Sequence, residues 1–118
     1  MQNFNFSIEQ KENYFIVNLV GRIMNDETIN NLIEAIKKAL ESNHNVILNL
    51  EKLEYLNSSG LNCFITILTK SRIKGGETII TNIPEPINKL LLISKLNTVF
   101  EIRENLEDAV KEFTLVKT

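Results

Sequence analysis

Apolar and polar residues alternate at the start of the chain. Phe4, Phe6 and Ile8 share one side, with Asn5, Ser7 and Glu9 on the other, as in a strand with one buried face. A polar turn at Lys11, Glu12 and Asn13 leads into a nearly continuous aromatic and β-branched run from Tyr14 to Val20. That composition predicts a second, more buried strand, closed by Gly21. In "NDETINNLIEAIKKALESN" the period changes. Ile29, Leu32, Ile33, Ile36 and Leu40 recur at steps of three and four and so share one face of a helix. Asn25 or Asp26 is placed to cap its start, and Lys37 and Lys38 lie towards its negative carboxyl end.

The short apolar run "NVILNL" predicts a buried strand through Val46, Ile47, Leu48 and Leu50, followed by a connection, "EKLEYLN". A second helix is expected from about Ser58 to Lys74, then a strand at "ETIIT" after the turn at Gly75 and Gly76. Pro84 and Pro86 bracket the start of a third helix, where a missing N–H does least harm. Its inward face is read as Ile87, Leu90, Leu91 and Ser94. "TVFEI" reads as a last strand, and "NLEDAVKEF" as a final helix with Leu106, Ala109, Val110 and Phe113 inward. Phe100 and Leu96 are candidates for exposed apolar contacts. The order β-β-α-β-α-β-α-β-α implies an α/β fold whose sheet is mostly parallel after a leading hairpin.

Composition narrows the function. The 118 residues suit one domain with one core. A formal charge of -2 and the absence of a long basic block argue against binding nucleic acid or acidic membrane through a bulk field. No apolar run reaches the roughly 18 residues of a membrane span, so direct membrane insertion is not expected. Met1, Gln2, Asn3, Phe4 and Asn5 lack the basic and apolar parts of a signal peptide, which points to the cytoplasm. One cysteine, Cys63, allows neither an internal disulfide nor a cysteine-based zinc site, and its apolar helical setting suggests a buried thiol. The one histidine, His44, sits in the polar stretch "ESNHN" and reads as a loop residue. No phosphate loop, metal set or catalytic base and nucleophile can be assembled, so neither an enzyme nor a cofactor is implied.

The stretch "YLNSSGLNCF" carries the remaining chemistry. If a helix begins there, Asn57 or Ser58 is its natural cap, accepting from a free N–H of the first turn. The same geometry favours an anion. A phosphate on Ser58, carrying a charge of about -1.5 to -2, would be tolerated by the fold while changing what a partner meets. On the residues alone, a plain cap and a phosphoserine switch both remain open. Gly60, lacking a side chain, would leave the serines accessible under either.

"VILNLEKLEYLNSSGLNCFI" and "KGGETIITNIPEPINKLLLISKLNTVFEI", together with "LVGRI", resemble the STAS domain, specifically the bacterial anti-sigma factor antagonists. The resemblance runs from the hairpin to the last helix. It implies a single STAS-like domain over residues 1–118, with a mixed, mostly parallel sheet of about four to five strands and about four helices packed mainly on one side. It also implies partner switching. The unphosphorylated antagonist would bind an anti-sigma factor that is a serine kinase, phosphorylation at Ser58 would release it, and a serine phosphatase would reset it. The implied partner-binding residues are Arg22, Asn25, Asp26, Asn57, Ser58, Ser59, Gly60, Leu61 and Asn62. Two positions depart from the common pattern, with Asn57 and Met24 standing where many members carry acidic residues. The alternative within the family is a constitutive scaffold or accessory subunit of a lipid transporter or stress-signalling assembly, without phosphorylation. A nucleotide-binding module is a third reading, which titration with GTP and ATP would test.

Overall fold

The leading alternation folds as a hairpin, with β1 (Phe4–Gln10) antiparallel to β2 (Phe15–Ile23), Phe6 opposite Leu19 and Ile8 opposite Val17. The structure is a computed structural model and describes residues 4–114; the reading of residues 1–3 lies outside it. After β2 come α1 (Asp26–Ala39), β3 (Val46–Leu56), α2 (Ser58–Ile73), β4 (Thr78–Thr81) and α3 (Glu85–Ile93). A 3₁₀ turn at Leu96–Thr98, β5 (Glu101–Arg103) and α4 (Leu106–Thr114) complete the described chain.

The strands lie side by side in the order β1-β2-β3-β4-β5, and every pair after the hairpin is parallel. Each parallel connection steps the same way along the sheet. Right-handed crossovers therefore place α1, α2 and α3 on one face. There Val17, Leu48 and Ile80 stand in register and pack with Leu32, Ile36, Phe64, Ile67 and Leu91 in the main core. On the other face Ile16, Ile47 and Ile79 form a second apolar row. It is covered by Ala109 with Leu106, Val110 and Phe113 of α4, and the Phe113 ring stacks on Tyr14 at 6.0 Å. The expected mixed sheet with helices mainly on one side is what the chain forms.

Several boundaries differ from the sequence expectations. Gly21 does not close β2; the strand runs on to Ile23, with Gly21 at a positive φ of 100° beside a register shift. The segment "EKLEYLN" is not a connection, because β3 continues to Leu56. Shifts in its pairing with β2 let both Leu53 and Leu56 face the core. "TVFEI" is mostly not a strand, since only Glu101–Arg103 pair with β4. Phe100 is buried in the main core and Leu96 packs against it, so neither is an exposed contact. Ser94 does not face inward but ends α3, its hydroxyl donating to the carbonyl of Leu90 at 2.9 Å. Gly76 is required by a close approach, as a Cβ there would run into the carbonyl oxygen of His44.

Candidate functional site

Two helix starts and the ends of two strands meet at one end of the sheet. Ile23 and Leu56 are neighbours across β2 and β3. Each strand then turns directly into a helix capped by an asparagine. The Asn25 side chain accepts from the N–H of Thr28 at 2.8 Å, and the Asn57 side chain accepts from the N–H of Gly60 at 2.9 Å. The cap of α2 is thus Asn57, and Ser58 and Ser59 fall inside the first turn. Asn57 also ties the two starts together. Its N–H donates to the carbonyl of Ile23 at 3.3 Å, and its side-chain amide donates to the carbonyl of Met24 at 3.2 Å.

This arrangement frees the serines. Both are exposed, and neither hydroxyl has a hydrogen-bond partner among the described residues. The backbone N–H groups of Ser58 and Ser59 precede the first intrahelical donor, the N–H of Leu61, so they are available to an anion together with the positive end of the helix. The first turn of α2 carries no acidic residue to oppose one. Gly60, expected to keep the serines accessible, is buried and has a different role. A Cβ there would meet Leu56 Cβ at 3.0 Å and Ile23 Cγ2 at 3.1 Å, so its bare backbone lets α2 start close against the two strands.

The structure places the sequence-derived residues in two groups. Arg22, Asn25, Asp26, Ser58, Ser59 and Asn62 are exposed around the paired helix starts, with Asn57 half-buried between them. Leu61 and Gly60 turn inward, Leu61 keeping only 7% of its surface, so neither presents a side chain to a partner. Cys63 is buried as expected, and burial pushes its thiol up to about 12, which leaves it protonated and unreactive at neutral pH.

Sequence reasoning missed Tyr55 and the flank contributed by α3. A groove of about 450 Å³ runs beside Ser58, lined among others by Glu54, Tyr55, Asn57, Pro86, Ile87 and Leu90. Tyr55 is 42% exposed, and the Arg22 guanidinium lies 4.9 Å from its ring centroid. Such a contact contributes about 0.5–1 kcal/mol at an exposed site. The pair exists because β2 and β3 bring Arg22 opposite Tyr55. Only the register of the sheet reveals it. Among the described residues no group of three or more His, Cys, Asp or Glu is placed to hold a metal ion, and no helix is long and apolar enough to cross a membrane.

The chain is similar to known proteins over nearly its whole length. The sequence model of the STAS domain matches residues 5–109. An anti-sigma F factor antagonist of Paenibacillus polymyxa is 27% identical over 117 residues, covering 97% of this chain and 98% of its own. The unphosphorylated form of the anti-sigma factor antagonist SpoIIAA superposes with a TM-score of 0.81 at 19% identity, covering 97% of this chain and 100% of that one. The phosphorylated form of the Bacillus cell fate determinant SpoIIAA gives 0.73 at 20% identity, covering 92% and 98%. These likenesses at low identity concern the fold.

Proposed function

The chain belongs to the STAS domain family, and we propose that it acts there as an anti-sigma factor antagonist switched by phosphorylation of Ser58. The observation that carries this reading is the free hydroxyl of Ser58. It stands exposed in the first turn of a helix whose cap is already supplied by Asn57. The names of its relatives, antagonists of anti-sigma factors, support the choice of partner.

In this mechanism the unphosphorylated surface around Arg22, Asn25, Asp26, Ser58, Ser59 and Asn62 docks on an anti-sigma factor that is itself a serine kinase. The kinase transfers the terminal phosphoryl group of ATP to Ser58 Oγ, a base of the kinase takes the hydroxyl proton, and ADP leaves. Within the free protein the new charge meets the favourable end of the α2 dipole, an interaction of about 0.3–1 kcal/mol, so the fold survives. In the docked complex the same charge is desolvated at the centre of the contact, which costs several kcal/mol even beside a cation, because both charges then lose water. Each 1.4 kcal/mol is about tenfold in affinity. The complex therefore opens, and a phosphatase restores the starting state. A binding protein of this kind needs no cofactor, and the cytoplasm is where its kinase and ATP would be found.

The test is recovery of partners by the tagged chain from its native cells, with intact-mass measurement and mapping of the peptide over residues 53–70. The native protein and Ser58→Ala should retain a kinase of the anti-sigma class, and Ser58→Glu should lose it. A fraction of the native chain should carry one phosphate at Ser58. Equal recovery by all three forms, with no phosphorylated chain under any growth condition, would replace this reading with a permanent scaffold or accessory subunit.

A further inference from the structure

We infer that Arg22 is the residue that receives the phosphate on Ser58, and that phosphorylation thereby lifts its guanidinium off Tyr55. This inference rests on the reading of Ser58 as a phosphorylation site and names how the site responds. Arg22 is exposed, and no carboxylate lies within ion-pair distance of it among the described residues. Its guanidinium is held by the Tyr55 ring at 4.9 Å. A charge-assisted, two-pronged bond to a phosphate is stronger than an exposed contact with a ring, so an added phosphate wins the competition.

The ends of β2 and β3, from which Arg22 and Ser58 come, are fastened to each other by Asn57. Ile23 follows Arg22, Asn57 precedes Ser58, and the N–H of Asn57 donates to the Ile23 carbonyl at 3.3 Å. The Asn57 amide holds the next carbonyl, that of Met24, at 3.2 Å. Because β2 and β3 run parallel, Arg22 stands level with Tyr55 and Ser58 follows three residues beyond it, so the span falls to the long arginine side chain. Tyr55 links the two, since its ring carries Arg22, and Tyr55 and Ser58 both line one groove. The switch then changes two things at once. A free hydroxyl becomes a paired anion, and an arginine-covered tyrosine becomes an open ring at the mouth of the groove.

The experiment installs phosphoserine at position 58 of the full chain during synthesis, in the native background and in Arg22→Gln and Arg22→Lys. Two readouts are followed by NMR: the titration midpoint of the phosphate, by phosphorus resonance, and the ring-proton shifts of Tyr55. The other ionisable groups around the site are Glu54 in the groove, Tyr55 itself, Asp26 and Glu27 at the start of α1 and Glu85 at the start of α3. All are shared by the three proteins, so their effects cancel in the comparison. The native midpoint should lie at least about half a pH unit below that of Arg22→Gln, because a facing cation favours the doubly charged phosphate. Arg22→Lys should fall between them. The Tyr55 ring signals should move on phosphorylation only when Arg22 is present. Equal midpoints, or Tyr55 signals that move equally in Arg22→Gln, would overturn the inference. Because the phosphate is supplied during synthesis, this result is independent of whether cells ever phosphorylate Ser58.

Discussion

The side-chain amide of Asn57 donates to the carbonyl of Met24 across 3.2 Å while its oxygen accepts from Gly60. One uncharged residue thus caps α2 and fastens the loop before α1. An aspartate could keep the first bond but has no hydrogen for the second. The two departures from the common family pattern, Asn57 and Met24, are therefore in contact with each other, joined through the Met24 backbone.

This division of labour predicts an inverted ranking of two neighbouring substitutions. Asn57→Ala removes the cap and should cost about 1 kcal/mol, within the range for cap removal. Ser58→Ala removes a hydroxyl without a partner and should stay within about 0.5 kcal/mol of the native protein. Urea unfolding of the two variants measures both. A larger loss for Ser58→Ala would make Ser58 the cap and take away the argument that its hydroxyl is free.

Gly60→Ala sets two effects against each other. Alanine in place of glycine favours a helix interior by up to about 1 kcal/mol. The new Cβ, however, meets Leu56 at 3.0 Å and Ile23 at 3.1 Å, and those residues are paired across β2 and β3 and buried. Overpacking of this kind costs about 1–3 kcal/mol, so the variant should be destabilised by up to about 2 kcal/mol. A variant more stable than the native protein in the same urea measurement would show that the strand ends yield easily.

Cys63 makes stability depend on alkaline pH. Its folded thiol is raised from 9.0 to about 12 by burial. Between those values the unfolded chain loses the proton and the folded one keeps it. Unfolding is then favoured as pH rises, and the contribution present below pH 9 is progressively lost. The slope approaches about 1.4 kcal/mol per pH unit at most. Relative to Cys63→Ala, whose other groups are the same, the native protein should lose stability faster from pH 9 to 11. Parallel curves would mean that the thiol is accessible to solvent in the folded state.

What could be read from the sequence divides along physical lines. α1 was legible because its apolar period and its Asn25 cap are local properties of about fifteen residues. The site serines were legible because a helix start has a local signature. The second half of β3 was not, since Glu51, Lys52, Glu54 and Tyr55 break any simple alternation. Its strand character comes from pairing with β2 across two register shifts. The Arg22–Tyr55 contact was hidden for the same reason, as it follows from which residue stands opposite which. The role of Gly60 is not legible locally, because the atoms that crowd it belong to residues at positions 23 and 56. "TVFEI" failed because a short apolar run fits a core-facing turn as well as a strand, and Phe100 took the first option.

A ladder of asparagines crosses the outer face of the sheet beyond the rows that α4 covers. Asn82 donates to Asn49 at 2.9 Å, Asn49 donates to Asn18 at 2.9 Å, and Asn18 donates to Glu9 at 2.8 Å. Asn49 also accepts from the N–H of Glu51 at 3.2 Å, which makes it the junction. Asn18 stands directly opposite Asn49 in the pairing of β2 and β3, just where the register begins to shift. A slip of one residue would turn these amides into the core and bring apolar residues out, so the ladder favours the observed alignment. If it acts as a unit, Asn18→Ala and Asn49→Ala should not be additive. Each alone leaves a half-buried amide group unmatched, and the double variant removes both partners of the central bond. Urea unfolding of the four proteins in a double-mutant cycle should give a coupling of at least about 0.5 kcal/mol. Additive losses would mean that water replaces each amide freely, and that the apolar rows on either side set the register alone.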